Sequence, residues 1–370
     1  LSSTTASTDR AGSTAATWTR EAEAQPRVSV IMIFLNAERF IDEAIRSVLA
    51  QTVNDWELVL VDDGSIDSGR EIVLSYVDRE PERIRLYEHP GLVNRGTGPS
   101  RNLGMRMARG RYLAFLDADD VYEPRRLERC MTLLDDDPAL GMVISRDLYW
   151  RRWPGNGASG FVLPDEVVGP AAPVGQRIAP PRLIAATLAT RGAPMPAPCS
   201  ITFRRSSFEQ LGGVPDGFDS QYEDQALIVK LLLACTATVI SDCLARYRQH
   251  PESLTHRARE TGEYRPGKPH EARRVFLAWV LNHMREVGID DPRVRRTIDA
   301  ELAAPVSDAG GDARTALRQA LRGTLFQAAA LLPTGLADAM VMRWWAWRRA
   351  RVASRAARVD ASSLARGQAK

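Results

Sequence analysis

The sequence predicts an α/β protein built on a doubly wound, mostly parallel sheet flanked by helices, with a helical extension at the C-terminal side. Three observations lead there. Short apolar runs alternate with helical periods from Val28 to Ser145, the order expected of strand–helix–strand units. Several of those runs are apolar without alternation, the pattern of strands covered on both faces. Beyond His250 the character changes, and residues 270–288, 293–303, 312–332 and 336–358 carry helical periodicity throughout.

The elements follow in order. VSVIMIF (28–34) reads as a first strand, and Glu38 to Gln51 as a helix with Phe40, Ile41, Ala44, Ile45 and Val48 on one face. WELVLV (56–61) is a second strand, ending at Asp62-Asp63-Gly64-Ser65, after which Asp67 can cap a helix to about Val77. IRLYE (84–88) is a third strand, followed by a Gly-rich loop and a helix from Pro99 to Ala108. YLAFL (112–116) is the fourth, and the helix after Pro124 starts where proline suits a first turn. MVIS (142–145) is a fifth. Trp150 to Pro198, rich in Gly and Pro, reads as a long excursion over the sheet with one helical stretch near Leu183 to Ala189. CSITFRR (199–205), a helix from Ser206 to Leu211 and another around Glu223 to Leu233 resume the structure.

Unusual residues gather at the carboxyl ends of the strands: Asn36, Asp62-Asp63, and Asp117, Asp119 and Asp120. In doubly wound sheets ligands bind outside those ends. An Asp-x-Asp pattern is not rare in a chain with 26 Asp, and Asp135-Asp136-Asp137 is a second instance that reads as a solvated helix end. What distinguishes Asp117 to Asp120 is the buried strand before it. Like charges that close repel and are costly near a core unless paired or bound to a cation.

Taken together, VSVIMIFLNAERFIDEAIRSVLAQT, WELVLVDDGSID and GPSRNLGMRMARGRYLAFLDADD, then FRRSSFEQLGGVPDGFDSQYEDQAL and YRQHPESLTHR, resemble glycosyltransferase family 2 in order and spacing, over about residues 27 to 256. The resemblance implies a nucleotide-diphospho-sugar transferase with a GT-A type fold, a divalent metal (Mn²⁺ or Mg²⁺) and inversion at the anomeric carbon. It also implies a nucleotide-sugar donor, UDP-sugar by preference. By family pattern Asp119 is the main metal ligand, with Asp117 at the ribose or the metal, and Asp117 and Ala118 beside the nucleotide. Asp63 matches the acceptor of a uracil N3–H, a role that suits an ionised carboxylate. Arg101 matches an arginine near the nucleotide, where a guanidinium fork fits a phosphate or base edge. His250 matches a histidine that some relatives place on the metal or pyrophosphate. In the Glu-Asp motif, Asp224 is the general base and Glu223 orients the loop or contacts the acceptor. In the first loop the pattern departs: Ile33, Phe34 and Leu35 stand where relatives have Pro or Thr and then an aromatic before Asn36. Phe34 is then the nearby aromatic for the nucleotide.

The physical reading agrees. A departing nucleotide diphosphate concentrates negative charge, and a divalent cation with hard oxygen ligands neutralises it. An inverting transfer to a hydroxyl also needs one positioned carboxylate to take the proton.

Composition bounds the rest. The net charge of +3 conceals an acidic body and a basic tail. Residues 1–250 hold 28 Lys+Arg against 33 Asp+Glu, and residues 251–370 hold 21 against 13. Cys130, Cys199, Cys235 and Cys243 form no C-x-x-C pair, which fits reduced thiols and a cytoplasmic protein. Residues 1–26 lack an apolar core segment and read as a disordered lead-in, not a signal peptide. Three parts are thus expected: 1–26, a transferase domain at 27–256, and a helical region at 257–370.

No uninterrupted span is long enough to cross a membrane. VMRWWAWRRARVASRAARV (341–359) combines Trp344, Trp345 and Trp347 with six arginines, which suits either a peripheral contact at the inner membrane face or docking on the domain or a second copy in a homo-oligomer. The expected acceptor is a glycan, a lipid-linked glycan or a small molecule, with no nucleic acid partner. The processive Q-x-x-R-W pattern is absent, which favours transfer of one sugar. Rival readings are a polyprenyl-phosphate sugar transferase and a non-catalytic nucleotide-sugar-binding protein. A nucleotidyltransferase is disfavoured because no G-G-x-G-T-R-like loop follows the first strand.

Overall fold

The computed structural model describes residues 25–156, 163–170, 172–189, 195–218, 221–264 and 270–304. The lead-in through residue 24, the helices expected over 312–332 and 336–358, and the Trp/Arg stretch 341–359 lie outside the described residues.

Alternation in the sequence becomes alternation in the chain. β1 (Val28–Phe34), α1 (Ile41–Leu49), β2 (Trp56–Asp62), α2 (Gly69–Arg79), β3 (Ile84–Glu88), α3 (Thr97–Met107) and β4 (Tyr112–Phe115) form the first half. β1 pairs in parallel with β2 (Val28 opposite Trp56) and with β4 (Val28 opposite Tyr112), and β2 with β3. After a short β5 (Val121–Tyr122) come α4 (Arg126–Asp136), β6 (Met142–Trp150), β7 (Glu166–Val168), β8 (Arg177–Ile178) and α5 (Arg182–Ala189). β9 (Ile201–Arg204), α6 (Arg205–Leu211), α7 (Glu223–Ala234), β10 (Ala237–Arg248), α8 (Leu254–Thr261), α9 (Glu271–Glu286) and α10 (Pro292–Leu302) complete it.

The main path of the sheet runs β3-β2-β1-β4-β9-β6-β10-β5. β9 lies antiparallel to both β4 and β6, and β6 runs parallel to β10. Linear patterning did not show β10. Its sequence ATVISDCLARYR breaks alternation at Ser241-Asp242, and register shifts between Val239 and Cys243 and between Cys243 and Ala245 absorb the break, the work of a bulge.

Period-two side chains divide the core between two faces. Val30, Met32, Leu58, Leu60, Tyr112 and Ala114 pack under α1, α2 and α4. Ile31, Val59, Leu113 and Phe115 face the other way, onto α3, α5, α7, α9 and α10. The helices at 271–302 therefore share a core with the strands through Phe276, Leu277, Val280, Val294 and Ile298, and burying each such side chain stabilises by about 1.5–3 kcal/mol. α3 lies against the sheet because residue 104 is glycine: a Cβ there would stand 2.5 Å from Ile31 Cγ2. Among the described residues no helix is long and apolar enough to cross a membrane. All four cysteines are free, and Cys130, Cys199 and Cys235 are buried.

Candidate active site

Parallel pairing sets the ends of β1, β2 and β4 side by side. Phe34 lies opposite Asp62, and Ile31 opposite Phe115. The loops beyond them are stitched by short polar side chains. Asn36, in the left-handed region at φ +52°, accepts at Oδ1 from the Ile66 N–H (2.8 Å), and its own N–H donates to Ser65 Oγ (3.0 Å). Asp62 accepts from the N–H groups of Gly64 and Ser65 and pairs with Arg70. Asp63 Oδ1 takes the Arg95 N–H and the Ser100 hydroxyl at 2.8 and 3.0 Å, and Oδ2 takes the Gly96 N–H at 3.0 Å.

Two expectations for the nucleotide change on this evidence. The Phe34 side chain is buried in the core and is not a base-stacking surface; Leu35, 42% exposed, occupies the outward position. Alternation forces this, because Phe34 continues the inward set of Val30 and Met32. The Ala118 methyl is likewise buried in the core, so only its backbone can face a ligand. Asn36 uses its side chain to join the loops after β1 and β2. Asp63 is already holding the loop after β3.

Arg101 joins the two halves of the cluster. It comes from α3 and is 5% exposed, with one terminal nitrogen 2.9 Å from Asp117 Oδ1 and the other 2.7 Å from Glu223 Oε1. The turn after β4 is thereby tied to the start of α7, residues separated by more than a hundred positions. The fork expected at a phosphate or base edge pairs here with two carboxylates, and those carboxylates raise the affinity of the guanidinium for its proton against the cost of burial. Glu223, expected to orient the loop or contact the acceptor, is buried and paired with Arg101. Asp224, next to it, is pushed up to about 7 by burial and by the Glu223 charge, with Arg101 opposing. Burial also raises Asp117, and Arg101 again opposes.

The turn 117–120 is held from behind by the end of β10. The Arg248 guanidinium lies over the rings of Trp150, Phe40 and Trp153 at 4.5, 4.9 and 4.9 Å. Its Nε donates to the Asp119 carbonyl at 2.7 Å, its N–H to Asp120 Oδ1 at 2.9 Å, and a terminal nitrogen reaches Glu43 at 2.5 Å. His250 places Nε2 2.9 Å from Asp119 Oδ2, with its ring against Phe40 at 4.6 Å. The sequence places Arg248 beside His250, yet no linear pattern reveals that Phe40, Trp150 and Trp153 enclose it.

What the cluster can hold follows from its donors. Among the described residues no three His, Cys, Asp or Glu side chains form a self-sufficient metal cage. Asp117 and Asp119, with side chains 26% and 28% exposed, offer hard oxygens at the rim, and His250 steadies one of them. That set fits Mg²⁺ or Mn²⁺ sharing its shell with phosphate oxygens and water.

Comparison with known proteins bears on the family and the fold. Residues 29–212 match the glycosyl transferase family 2 model. An uncharacterized glycosyltransferase of Nostoc sp. is 37% identical over 123 residues, 33% of this chain and 37% of that protein. The Escherichia coli UDP-Glc:alpha-D-GlcNAc-diphosphoundecaprenol beta-1,3-glucosyltransferase WfgD is 39% identical over 107 residues, 29% of this chain and 40% of that one. The match thus spans about two fifths of the length of these curated relatives. S. aureus TarS 1-349, solved in complex with UDP, superposes with a TM-score of 0.51 at 18% identity, covering 75% of this chain and 70% of that one, a likeness of fold. Through residues 29–212, on a GT-A type fold, this chain belongs to glycosyl transferase family 2.

Proposed function

We propose that the chain transfers one sugar from a nucleotide-diphosphate sugar, UDP preferred, to an acceptor hydroxyl with inversion at the anomeric carbon. The observation that carries this reading is the Arg101 bridge. By holding Asp117 and Glu223 on one guanidinium, it sets Asp224 beside the carboxylates of the donor end. In the transfer, the acceptor oxygen forms a bond to the anomeric carbon while the bond to the diphosphate oxygen breaks. The leaving diphosphate takes that electron pair, and the hydroxyl proton passes to the Asp224 carboxylate. A base whose pKa lies near 7 is matched to such a proton at neutral pH.

A Mg²⁺ or Mn²⁺ held by Asp119, with Asp117 beside it and His250 behind it, would neutralise the charge on the leaving diphosphate. Arg248 keeps the Asp119-Asp120 turn in place by gripping its main chain and a side-chain oxygen. The preference for UDP draws on WfgD, whose name specifies UDP-Glc as donor. Asp63 has roughly one acceptor site left beyond its three internal donors, and a uracil N3–H is a group that fits it.

The test is release of nucleotide diphosphate from a donor panel, with and without Mn²⁺, alongside thermal shifts with UDP, GDP and CDP. Metal-dependent stabilisation by UDP and turnover of a UDP-sugar are expected. Stabilisation by another nucleotide alone would overturn the base preference, and absence of turnover with every donor would overturn the transferase reading. A loss of several orders of magnitude in Asp224→Asn separates transfer to a hydroxyl from transfer to a phosphate acceptor, which needs little base catalysis.

A further inference from the structure

A cavity of about 740 Å³ opens between the loop after β3, one face of α3 and the loop after α6. None of its described lining residues belongs to the carboxylate cluster. Both walls are preset. Asp63 grips the main chain of Arg95 and Gly96 on one side. On the other, Asn102 makes two bonds to Val214: its Nδ2 donates to the carbonyl at 2.9 Å and its Oδ1 accepts from the N–H at 2.8 Å. A cleft whose walls are already ordered loses little freedom on binding a ligand.

Two arginines set the charge of its lining. On neighbouring elements arginine is committed to carboxylates: Arg70 to Asp62 and Glu88, Arg85 to Glu57, Arg101 to Asp117 and Glu223. Arg95 and Arg106 both line the cavity and are exposed. Among the described residues neither guanidinium has a carboxylate within ion-pair distance. Among the described residues Asp216 is the one acid in the lining. Two uncommitted guanidinium forks facing one cleft suit the oxygens of a phosphate ester, which arginine binds through paired hydrogen bonds.

The cavity also approaches Glu223, the residue before Asp224. Gly98 lies in its lining, and a Cβ at that residue would stand 3.2 Å from Val214 Cγ1 and 3.8 Å from Glu223 Cβ. Gly98 on α3 thus touches both the cleft and the neighbourhood of the residue preceding Asp224.

We propose that this cleft receives a phosphate or diphosphate ester carried by the acceptor, held by Arg95 and Arg106 while the acceptor hydroxyl meets Asp224. The proposal rests on Asp224 as the general base and adds to that reading the chemical class of the acceptor. It accords with WfgD, whose named acceptor contains a diphosphate. Either a lipid-linked sugar diphosphate or a soluble sugar phosphate supplies the group.

The test begins with calorimetric titration of inorganic pyrophosphate into the full chain, free of metal so that the donor carboxylates do not recruit it. Wild-type protein is expected to bind, the double variant Arg95→Ala/Arg106→Ala to bind at least tenfold more weakly, and Arg95→Lys/Arg106→Lys to retain part of the affinity. Circular dichroism establishes that each variant is folded. With an active donor, the KM for a diphosphate-bearing acceptor should rise at least tenfold in the alanine pair, with kcat little changed. Parallel arms with a detergent-solubilised polyprenyl-diphosphate sugar and with a sugar 1-phosphate identify the source by which saturates at lower concentration. Metal-free pyrophosphate that fails to bind, or that binds wild type and the alanine pair equally, would overturn the proposal. Because the titration needs no turnover, its outcome is independent of whether the donor panel succeeds.

Discussion

The phenol oxygen of Tyr222 lies 3.0 Å from Nε2 of His270, which ties the residue just ahead of Glu223 and Asp224 to the cap of α9. The same ring stacks on Phe276 at 4.8 Å and 17°. Tyr222 adopts φ +67°, a left-handed conformation that a bulky residue tolerates only when its surroundings compel it. Packing on α9 supplies that compulsion, so helices at the C-terminal side help to aim the carboxylates of α7.

Tyr222→Phe should therefore cost about 1 kcal/mol through the lost hydrogen bond, and Tyr222→Ala about 3 kcal/mol through the cavity left behind. In a folded Tyr222→Ala protein kcat should fall more than KM rises, because the base turn loses its anchor while the donor site is untouched. Chemical denaturation and steady-state kinetics check both. Unchanged kcat would mean that the turn holds its shape without α9.

As the proposed base, Asp224 should set the pH dependence. With a pKa near 7 in the folded chain, its carboxylate accepts a proton above that pH and not below it, so kcat should rise about tenfold per pH unit on the acid side and level off above 7. Stability runs the opposite way. The folded pKa is raised above the unfolded value, so this group opposes folding progressively as pH climbs from about 4 toward 7. Asp224→Asn should thus lose activity by several orders of magnitude, lose the acid limb and melt higher than wild type at pH 8. A pH–rate profile paired with melting curves at pH 5 and 8 tests each sign.

Removing Arg101 leaves buried Glu223 and half-buried Asp117 without their partner. Arg101→Ala should destabilise by about 3–5 kcal/mol, the usual result of breaking a buried pair. The guanidinium holds Asp224 down against burial and Glu223, so its removal should also move the acid limb of the rate profile to higher pH. Arg101→Lys, which keeps the charge but not the fork, should shift the limb less. A limb that stays in place would show that Arg101 does not govern the base.

Metal dependence should be reversible and local. Chelation by EDTA should abolish nucleotide-diphosphate release and Mn²⁺ should restore it. Asp119→Asn should eliminate the metal-dependent thermal shift with UDP. His250→Ala should weaken metal affinity about 10–100-fold, as for a residue that orients a ligating carboxylate. Thermal shifts at graded Mn²⁺ measure each effect without turnover.

Much was legible before any coordinates. Continuous apolar runs announced β1, β2 and β4, because a strand covered on both faces needs no polar side. Asn36 after β1 and the carboxylates after β2 and β4 mark the candidate site, because parallel strands end at one edge. Linear order does not encode which distant side chain satisfies a buried charge. The sequence marks Arg101 for a phosphate or base edge, and only the fold shows Asp117 and Glu223 on its two terminal nitrogens. Phe34 looked like a stacking surface until the pleat turned it inward, and β10 was hidden by a bulge that only its pairing with β6 reveals. Periodicity and strand-end chemistry are local and survive in one dimension. Pairing, enclosure and the pKa of Asp224 depend on which groups the fold takes out of water together, and those the tertiary structure alone decided.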